Sequence, residues 1–407
     1  MGRRPLALVA VVAVGLVGCR GLGARGGGCP APGPVSGLVD RDPQTTTVPV
    51  LDLRAATPPI TAPPATPTGH RPFNILVLSA GGAYGAYPAG VLAGWTEAGT
   101  RPQFDVVTGV STGALVATLA FLGPERDPDL KRFYTQVTDR DVFARRPQLS
   151  ALLSDALADS RPLERLIEQA VDAELLRQVA AEHQKGRRLY VGTTHLDARR
   201  LVVWDMGEIA SRGRPEDLAL FRRILLASAS LPGLLPPVSI PVEVDGKKYE
   251  EMHVDGGVTS SLFFRPPHVP RGELAELGDR PLAGSNVYVI VAGKLFADPE
   301  PVQPRFLSIV GSSVSALLHA QTRGDLYEVY ALAQATGMNY KVAAVPAGVR
   351  TPASSTTFDP VAMSRLYEAG RRQAGSPDLW RSNPPGTRPG EQVPVRGGVR
   401  LAPAPPG

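Results

Sequence analysis

Apolar residues along this chain form two kinds of run. Short, β-rich stretches at 73–79, 104–108, 189–193, 201–204, 249–254, 287–292 and 339–345 predict strands, the first of them long enough to be a buried central strand. Between them, apolar residues recur every three or four positions. That spacing predicts helices over 86–98, 114–122, 129–137, 149–158, 162–182, 305–335 and 359–372. Strand followed by helix, repeated, is the pattern of an α/β fold. The stretch 124–188 reads as all-helical and interrupts that alternation.

Both ends of the chain lack such patterning. Residues 19–70 are dense in Gly, Pro and Thr and read as an extended tether, while 376–407 are rich in Pro, Gly and Arg and read as a disordered tail. The expected organisation is therefore a targeting segment (1–18), the tether (19–70), a folded domain (71–345), a helical extension (346–375) and the tail. In the targeting segment, Arg3 and Arg4 precede an apolar run at 6–16, too short to span a bilayer comfortably. The run ends in Leu16-Val17-Gly18-Cys19, which resembles the bacterial lipobox and implies a lipidated Cys19 and a membrane-anchored envelope protein. The alternative is a plain secretory signal with an incidental cysteine. Myristoylation of Gly2 is excluded by Leu6, where that motif needs Ser or Thr. Cys29 is the second of 2 cysteines, so a lipidated Cys19 leaves no intramolecular disulfide.

The net charge of +5 sits at the ends, with +3 in residues 1–70 and +2 in 376–407, leaving 71–375 neutral. A neutral core is no nucleic-acid footprint, and that partner class is excluded. Neither a metal-ligand cluster nor a cofactor motif is found. The chain lacks a Walker lysine. The glycine-rich turn 80–85 has Ala80 where a dinucleotide-binding turn begins with glycine, and no acidic residue follows at the required distance.

Two turns remain for chemistry. Gly109-Val110-Ser111-Thr112-Gly113 lies between a predicted strand and a predicted helix, the setting of a nucleophile elbow. Ala80-Gly81-Gly82-Ala83-Tyr84-Gly85 occupies the same place one strand–helix unit earlier and offers backbone N–H groups to an oxyanion. Consecutive right-handed units bring both turns to one edge of a parallel sheet. A base for Ser111 is sought among six histidines and the carboxylates. His70, His183, His195, His268 and His319 read as surface or satisfied residues. His253 shares a strand face with Asp255 and so is a candidate beside it.

A glycine-rich loop on the first strand, Gly-x-Ser-x-Gly one unit later, and a distant Asp255-Gly256-Gly257 resemble the patatin-like phospholipase family. Ala227-Ser228-Ala229-Ser230-Leu231-Pro232 before Leu235-Pro236-Pro237 and the Thr193-Thr194-His195-Leu196-Asp197 turn are also similar to segments of that family. The resemblance spans about 71–345. It implies a three-layer α/β/α sheet with a nucleophile elbow and a helical insertion. It further implies a cofactor-free lipid acyl hydrolase, phospholipase A- or lysophospholipase-like, acting at a membrane surface. Ser111 and Asp255 would form its dyad, and N–H groups of Gly81, Gly82, Ala83 and Thr112 its oxyanion hole. Gly85, Gly109, Gly113, Gly256 and Gly257 complete the motifs. The helical insertion would then either cap an acyl pocket or simply cover one sheet face. Two positions depart from the family: Ala80 replaces the first loop glycine and Tyr84 the usual basic residue, so any headgroup contact by that basic side chain is lost. Those departures motivate a second expectation, an inactive lipid- or partner-binding envelope lipoprotein.

Overall fold

The computed structural model describes residues 71–147, 154–244, 247–265, 282–299, 301–388 and 391. The expected targeting segment, Cys19 and the tether lie outside these residues, as do His70 and His268.

The described chain opens with β1 (Asn74–Leu78), a 3-10 turn (Gly82–Gly85) and α1 (Ala86–Glu97), and continues through β2 (Val106–Val110) into α2 (Thr112–Leu122). The insertion follows, with α3 (Asp127–Thr135), α4 (Asp139–Val142), the short strands β3 (Ala144–Arg145) and β4 (Ala158–Asp159), α5 (Arg161–Ala170) and α6 (Ala173–Gln184). Next come β5 (Arg188–His195), β6 (Arg200–Asp205), α7 (Met206–Ser211), α8 (Pro215–Ser228), β7 (Val238–Val244) and β8 (Lys247–Asp255). The remaining elements are β9 (Asn286–Val291), α9 (Phe306–Thr336), β10 (Asn339–Ala344) and α10 (Pro360–Ala374).

Eight strands form one mixed sheet in the order β10-β9-β1-β2-β5-β8-β7, with β6 also paired to β5. The strands from β10 to β5 are parallel, whereas β6 and β8 run antiparallel to β5 and β7 antiparallel to β8. Alternating residues of the central strands feed two apolar layers. Ile75, Val77, Val287 and Val289 pack against Leu326, Val329 and Ala333 of α9, whereas Leu76, Leu78, Tyr288 and Ile290 pack on the other face with α1, α2 and α10. Burial on both faces explains why β1 is apolar throughout. The result is helix, sheet, helix, as expected.

The structure departs from the sequence pattern in several places. The stretch 162–182 is two helices, because Asp172 caps α6 by accepting the Leu175 N–H at 2.8 Å and so starts a new helix. Of the expected helix 149–158, residues 149–153 lie outside the described residues and the rest leads into β4, so the insertion is not purely helical. α7 and α8, the second of which ends at Ser228, were not expected, and neither was β7. It carries Pro241 and lies at the end of the sheet, where a missing N–H is tolerated. Finally, the described part of the expected disordered tail is packed. Trp380 packs against both Trp95 and Tyr288, with ring centroids 4.9 and 5.1 Å away, completing a three-ring cluster, and Arg381 pairs with Val342 of β10.

Candidate active site

β2 ends at Val110 and α2 begins at Thr112, so Ser111 alone makes the turn. Its φ of 57° lies in the left-handed region, a conformation that costs a non-glycine residue about 1–3 kcal/mol and persists only where the surroundings enforce it. Here they do. The Ser111 N–H donates to Ser228 Oγ at 2.9 Å, and that hydroxyl donates in turn to the Gly192 carbonyl at 2.7 Å. Below the turn the backbones touch: a Cβ on Gly113 would lie 2.5 Å from the Leu78 carbonyl oxygen, so only glycine fits.

Asp255 reaches Ser111 because of how two strands meet. β5 pairs with β6 along one edge; along the other it pairs first with β2, through Gly192 opposite Val110, and then with β8, through Thr193 opposite Asp255. β2 runs toward this junction from one end and β8 from the other, so their C-terminal ends abut. Gly256 sits in the joint, where a Cβ would come within 2.6 Å of the Gly192 carbonyl oxygen. Across the joint, Ser111 Oγ donates to Asp255 Oδ2 at 2.5 Å, and the Gly257 N–H donates to Asp255 Oδ1 at 2.7 Å. The Asp255 N–H donates to the Ser230 carbonyl at 2.9 Å, so the end of α8 and the turn after it hold the backbones of both residues, through Ser228 and Ser230. Burial pushes the Asp255 carboxyl up to about 6, against the pull of the Ser111 and Gly257 hydrogen bonds.

The glycine-rich loop follows β1, and Gly82 joins Ser111 and Thr112 in lining one cavity. Among the described residues, no acceptor takes the Gly81, Gly82 or Thr112 N–H. Ala83 is a correction to the expected donor set: its N–H donates to the Ser355 carbonyl at 2.8 Å and is not available to a ligand. The competing acceptor comes from a segment more than 250 residues further along the chain, which local sequence spacing does not reveal. Tyr84, at the family's basic position, donates its hydroxyl to the Pro352 carbonyl at 3.4 Å. Tyr134 was not singled out by sequence. Its buried hydroxyl donates to the Thr112 carbonyl at 3.0 Å and lies 2.6 Å from Thr112 Oγ1, which fixes the residue just after Ser111.

From Ser111 the cavity, about 120 Å³, runs between α2, α3, α5 and α8. Its walls are almost wholly apolar, with Leu115, Phe133, Leu166, Ile167 and Leu225 among them. The insertion therefore does line a pocket at the serine, through α3, α4 and α5.

The histidines go elsewhere. His253 is fully buried, with Nδ1 2.9 Å from Thr193 Oγ1 and Nε2 3.1 Å from Glu251 Oε2, and its ring stacks on His195 at 5.1 Å. These contacts leave it no bond to Ser111 or Asp255, although it is only two residues from the aspartate. His183 faces Asp205 at 3.6 Å, and His319 lies on α9 against the Ser315 carbonyl. Among the described residues, no group of three or more His, Cys, Asp or Glu side chains could hold a metal ion.

Residues 76–268 match the family model described as patatin-like phospholipase. Among solved structures, the chain is similar to VipD from Legionella pneumophila, at 12% identity over 74% of this chain and 66% of that chain, with a TM-score of 0.37. It is also similar to the type III effector protein ExoU, at 15% identity over 75% of this chain and 52% of that chain, with a TM-score of 0.26. ExoU in its complex with SpcU from Pseudomonas aeruginosa matches at 14% identity over 76% of this chain and 52% of that chain, with a TM-score of 0.24. The chain thus spans just under two thirds of VipD and about half of ExoU. No curated protein matches it. Over the span from β1 to just beyond the Asp255-Gly256-Gly257 turn, this chain carries a domain of the patatin-like phospholipase family.

Proposed function

We propose that the protein is a serine lipid acyl hydrolase, phospholipase A- or lysophospholipase-like, working through a Ser111–Asp255 dyad without a cofactor. The observation that carries this reading is the 2.5 Å contact between Ser111 Oγ and a buried Asp255 carboxylate at the mouth of an apolar cavity. A serine hydroxyl needs a base to become a nucleophile, and an aspartate raised to about 6 is basic enough to take its proton while still ionised at neutral pH.

In the reaction, Asp255 accepts the Ser111 proton as Oγ forms a bond to the ester carbonyl carbon. Negative charge gathers on the carbonyl oxygen, and the N–H groups of Gly81, Gly82 and Thr112 receive it, aided by the N-terminal dipole of α2. The C–O bond to the leaving alcohol then breaks, and Asp255 returns the proton to that oxygen. Water, deprotonated by Asp255, attacks the acyl-enzyme, and Ser111 recovers its proton as the fatty acid leaves. The acyl chain lies in the cavity beneath the insertion. Anchoring through a lipidated Cys19 would hold the enzyme at a bacterial envelope membrane, next to its substrate.

Labelling with a fluorophosphonate probe tests the dyad. Wild type is expected to label, Ser111→Ala not at all, and Asp255→Asn about a thousandfold more slowly. His253→Ala should label at close to the wild-type rate. A folded wild type that never labels would return the protein to the binding-lipoprotein class, and labelling lost in His253→Ala but kept in Asp255→Asn would replace the base.

A further inference from the structure

α9 is longer than the sheet it covers. Its 31 residues extend about 46 Å, whereas the 6 residues of β9 extend about 20 Å. The C-terminal half does the covering through Leu326, Val329 and Ala333. It ends at the edge where the strands begin, since the Thr336 carbonyl accepts the Leu282 N–H at 3.1 Å ahead of β9. At the opposite edge, Asp325 accepts the Ser261 N–H at 2.7 Å and Thr322 donates to Ser261 Oγ at 3.0 Å. The Ser261 carbonyl in turn takes the Ala80 N–H at 2.8 Å, just past the end of β1. Residues 306–321 therefore project beyond the edge where Ser111 turns, as about 24 Å of helix.

The projecting half is amphipathic and free of charge. Phe306, Ile309, Val310, Val314, Leu317 and Leu318 are 40–68% exposed and fall on one half of the helical wheel. Ser308, Ser312, Ser315 and His319 fall on the other. No Asp, Glu, Lys or Arg occurs between Arg305 and Arg323, and these two, about five turns apart, share the polar side.

A contiguous apolar face that the described residues leave in water marks a contact with something apolar. The charge pattern chooses the occupant. A second copy forming a helical seam would be registered by charged pairs flanking it, and none are present. No described helix is long and apolar enough to cross a membrane, which favours a helix lying in the interface over one that spans. Two arginines on the polar side suit anionic headgroups at that depth. Val258, exposed beside the Asp255-Gly256-Gly257 turn, adds apolar surface next to the dyad.

We infer that the N-terminal half of α9 is an interfacial helix that seats the Ser111 edge of the molecule on an anionic lipid surface. Its role in presenting substrate rests on the lipid-hydrolase reading; its binding to lipid does not. Hydrogen–deuterium exchange on the full chain carrying Ser111→Ala, with and without vesicles of phosphatidylcholine containing one quarter phosphatidylglycerol, tests the binding. Vesicles are expected to slow exchange across 306–318 about tenfold, and adding Val310→Asp/Leu317→Asp should abolish that protection. Because this readout is local, an N-terminal anchor does not produce it. Protection that rises with protein concentration in the absence of vesicles would assign the face to a second copy and overturn the inference, as would no protection under either condition.

The role is tested in the active chain. Val310→Asp/Leu317→Asp should lower turnover of vesicle phospholipid about tenfold and leave a soluble butyrate ester within about twofold. An equal fall on both substrates would mean structural damage and overturn the role. A wild type inert toward both would sink the hydrolase reading and with it the role, while the exchange result would still decide whether the helix binds lipid.

Discussion

At the scale of single residues, Asp255 sets a conflict between rate and stability. Burial raises its pKa from 3.8 to about 6, so the folded chain binds this proton more tightly than the unfolded chain does. The proposed mechanism needs the carboxylate, and turnover of a soluble ester should therefore fall about tenfold per unit as pH drops below about 6. Stability runs the other way. Folding takes up a proton between about pH 4 and 6, so this group's penalty is absent below that window, grows as pH rises through it and is complete above it, at about 3 kcal/mol. Asp255→Asn should thus be inactive yet more stable than wild type by up to about 3 kcal/mol at pH 8, with no gain at pH 4. Denaturant titrations at the two pH values check this. An equal gain at both would mean the carboxylate charge is not the cause.

At the scale of elements, the Ser111–Asp255 pair was legible because its parts lie in short motifs with fixed neighbours. The strand before Ser111 and the helix after it follow from local periodicity, and Asp255 from a glycine pair at a strand end. What holds the pair was less visible. Ser228 and Ser230 belong to a family-like segment, but the Ser230 bond to Asp255 depends on the antiparallel arrival of β8 and the Ser228 bond to Ser111 on the end of α8 reaching β2 and β5, neither of which periodicity gives. The break between α5 and α6 hinges on one aspartate inside an otherwise continuous helical pattern. That break puts Ala170 and Val171 in the wall of the cavity. The insertion should accordingly set chain-length selectivity. Leu166→Trp is expected to lower the preference for long over short acyl esters about tenfold, since the added ring fills volume the longer chain would use. Competition between octanoate and butyrate esters of one alcohol measures it, and an unchanged ratio would mean that the acyl chain lies elsewhere.

At the scale of the whole molecule, the C-terminal segment shows where composition misleads. Proline, glycine and arginine argue for disorder because they bury little, yet a few side chains suffice to dock a short segment. Trp380 packs against both Trp95 and Tyr288, the Arg381 backbone pairs with Val342 and so covers the free edge of β10, and the Arg381 guanidinium binds Glu391 at 2.5 and 2.6 Å. That pair holds the Glu391 carboxyl down to about 2, so its contribution is full above the usual carboxylate range and is lost only as pH falls toward 2. Ending the chain after Gly375 would uncover two aromatic rings and an unpaired strand edge together. The truncated chain should unfold at lower denaturant, by about 2–4 kcal/mol, and aggregate more readily, and Trp380→Ala should account for most of the stability loss. Because none of the described residues of this segment bonds Ser111 or Asp255, fluorophosphonate labelling of the folded fraction should be unchanged. A truncated chain as stable as the full one would make the segment an ornament of the surface, and the composition-based reading of a dispensable tail would stand.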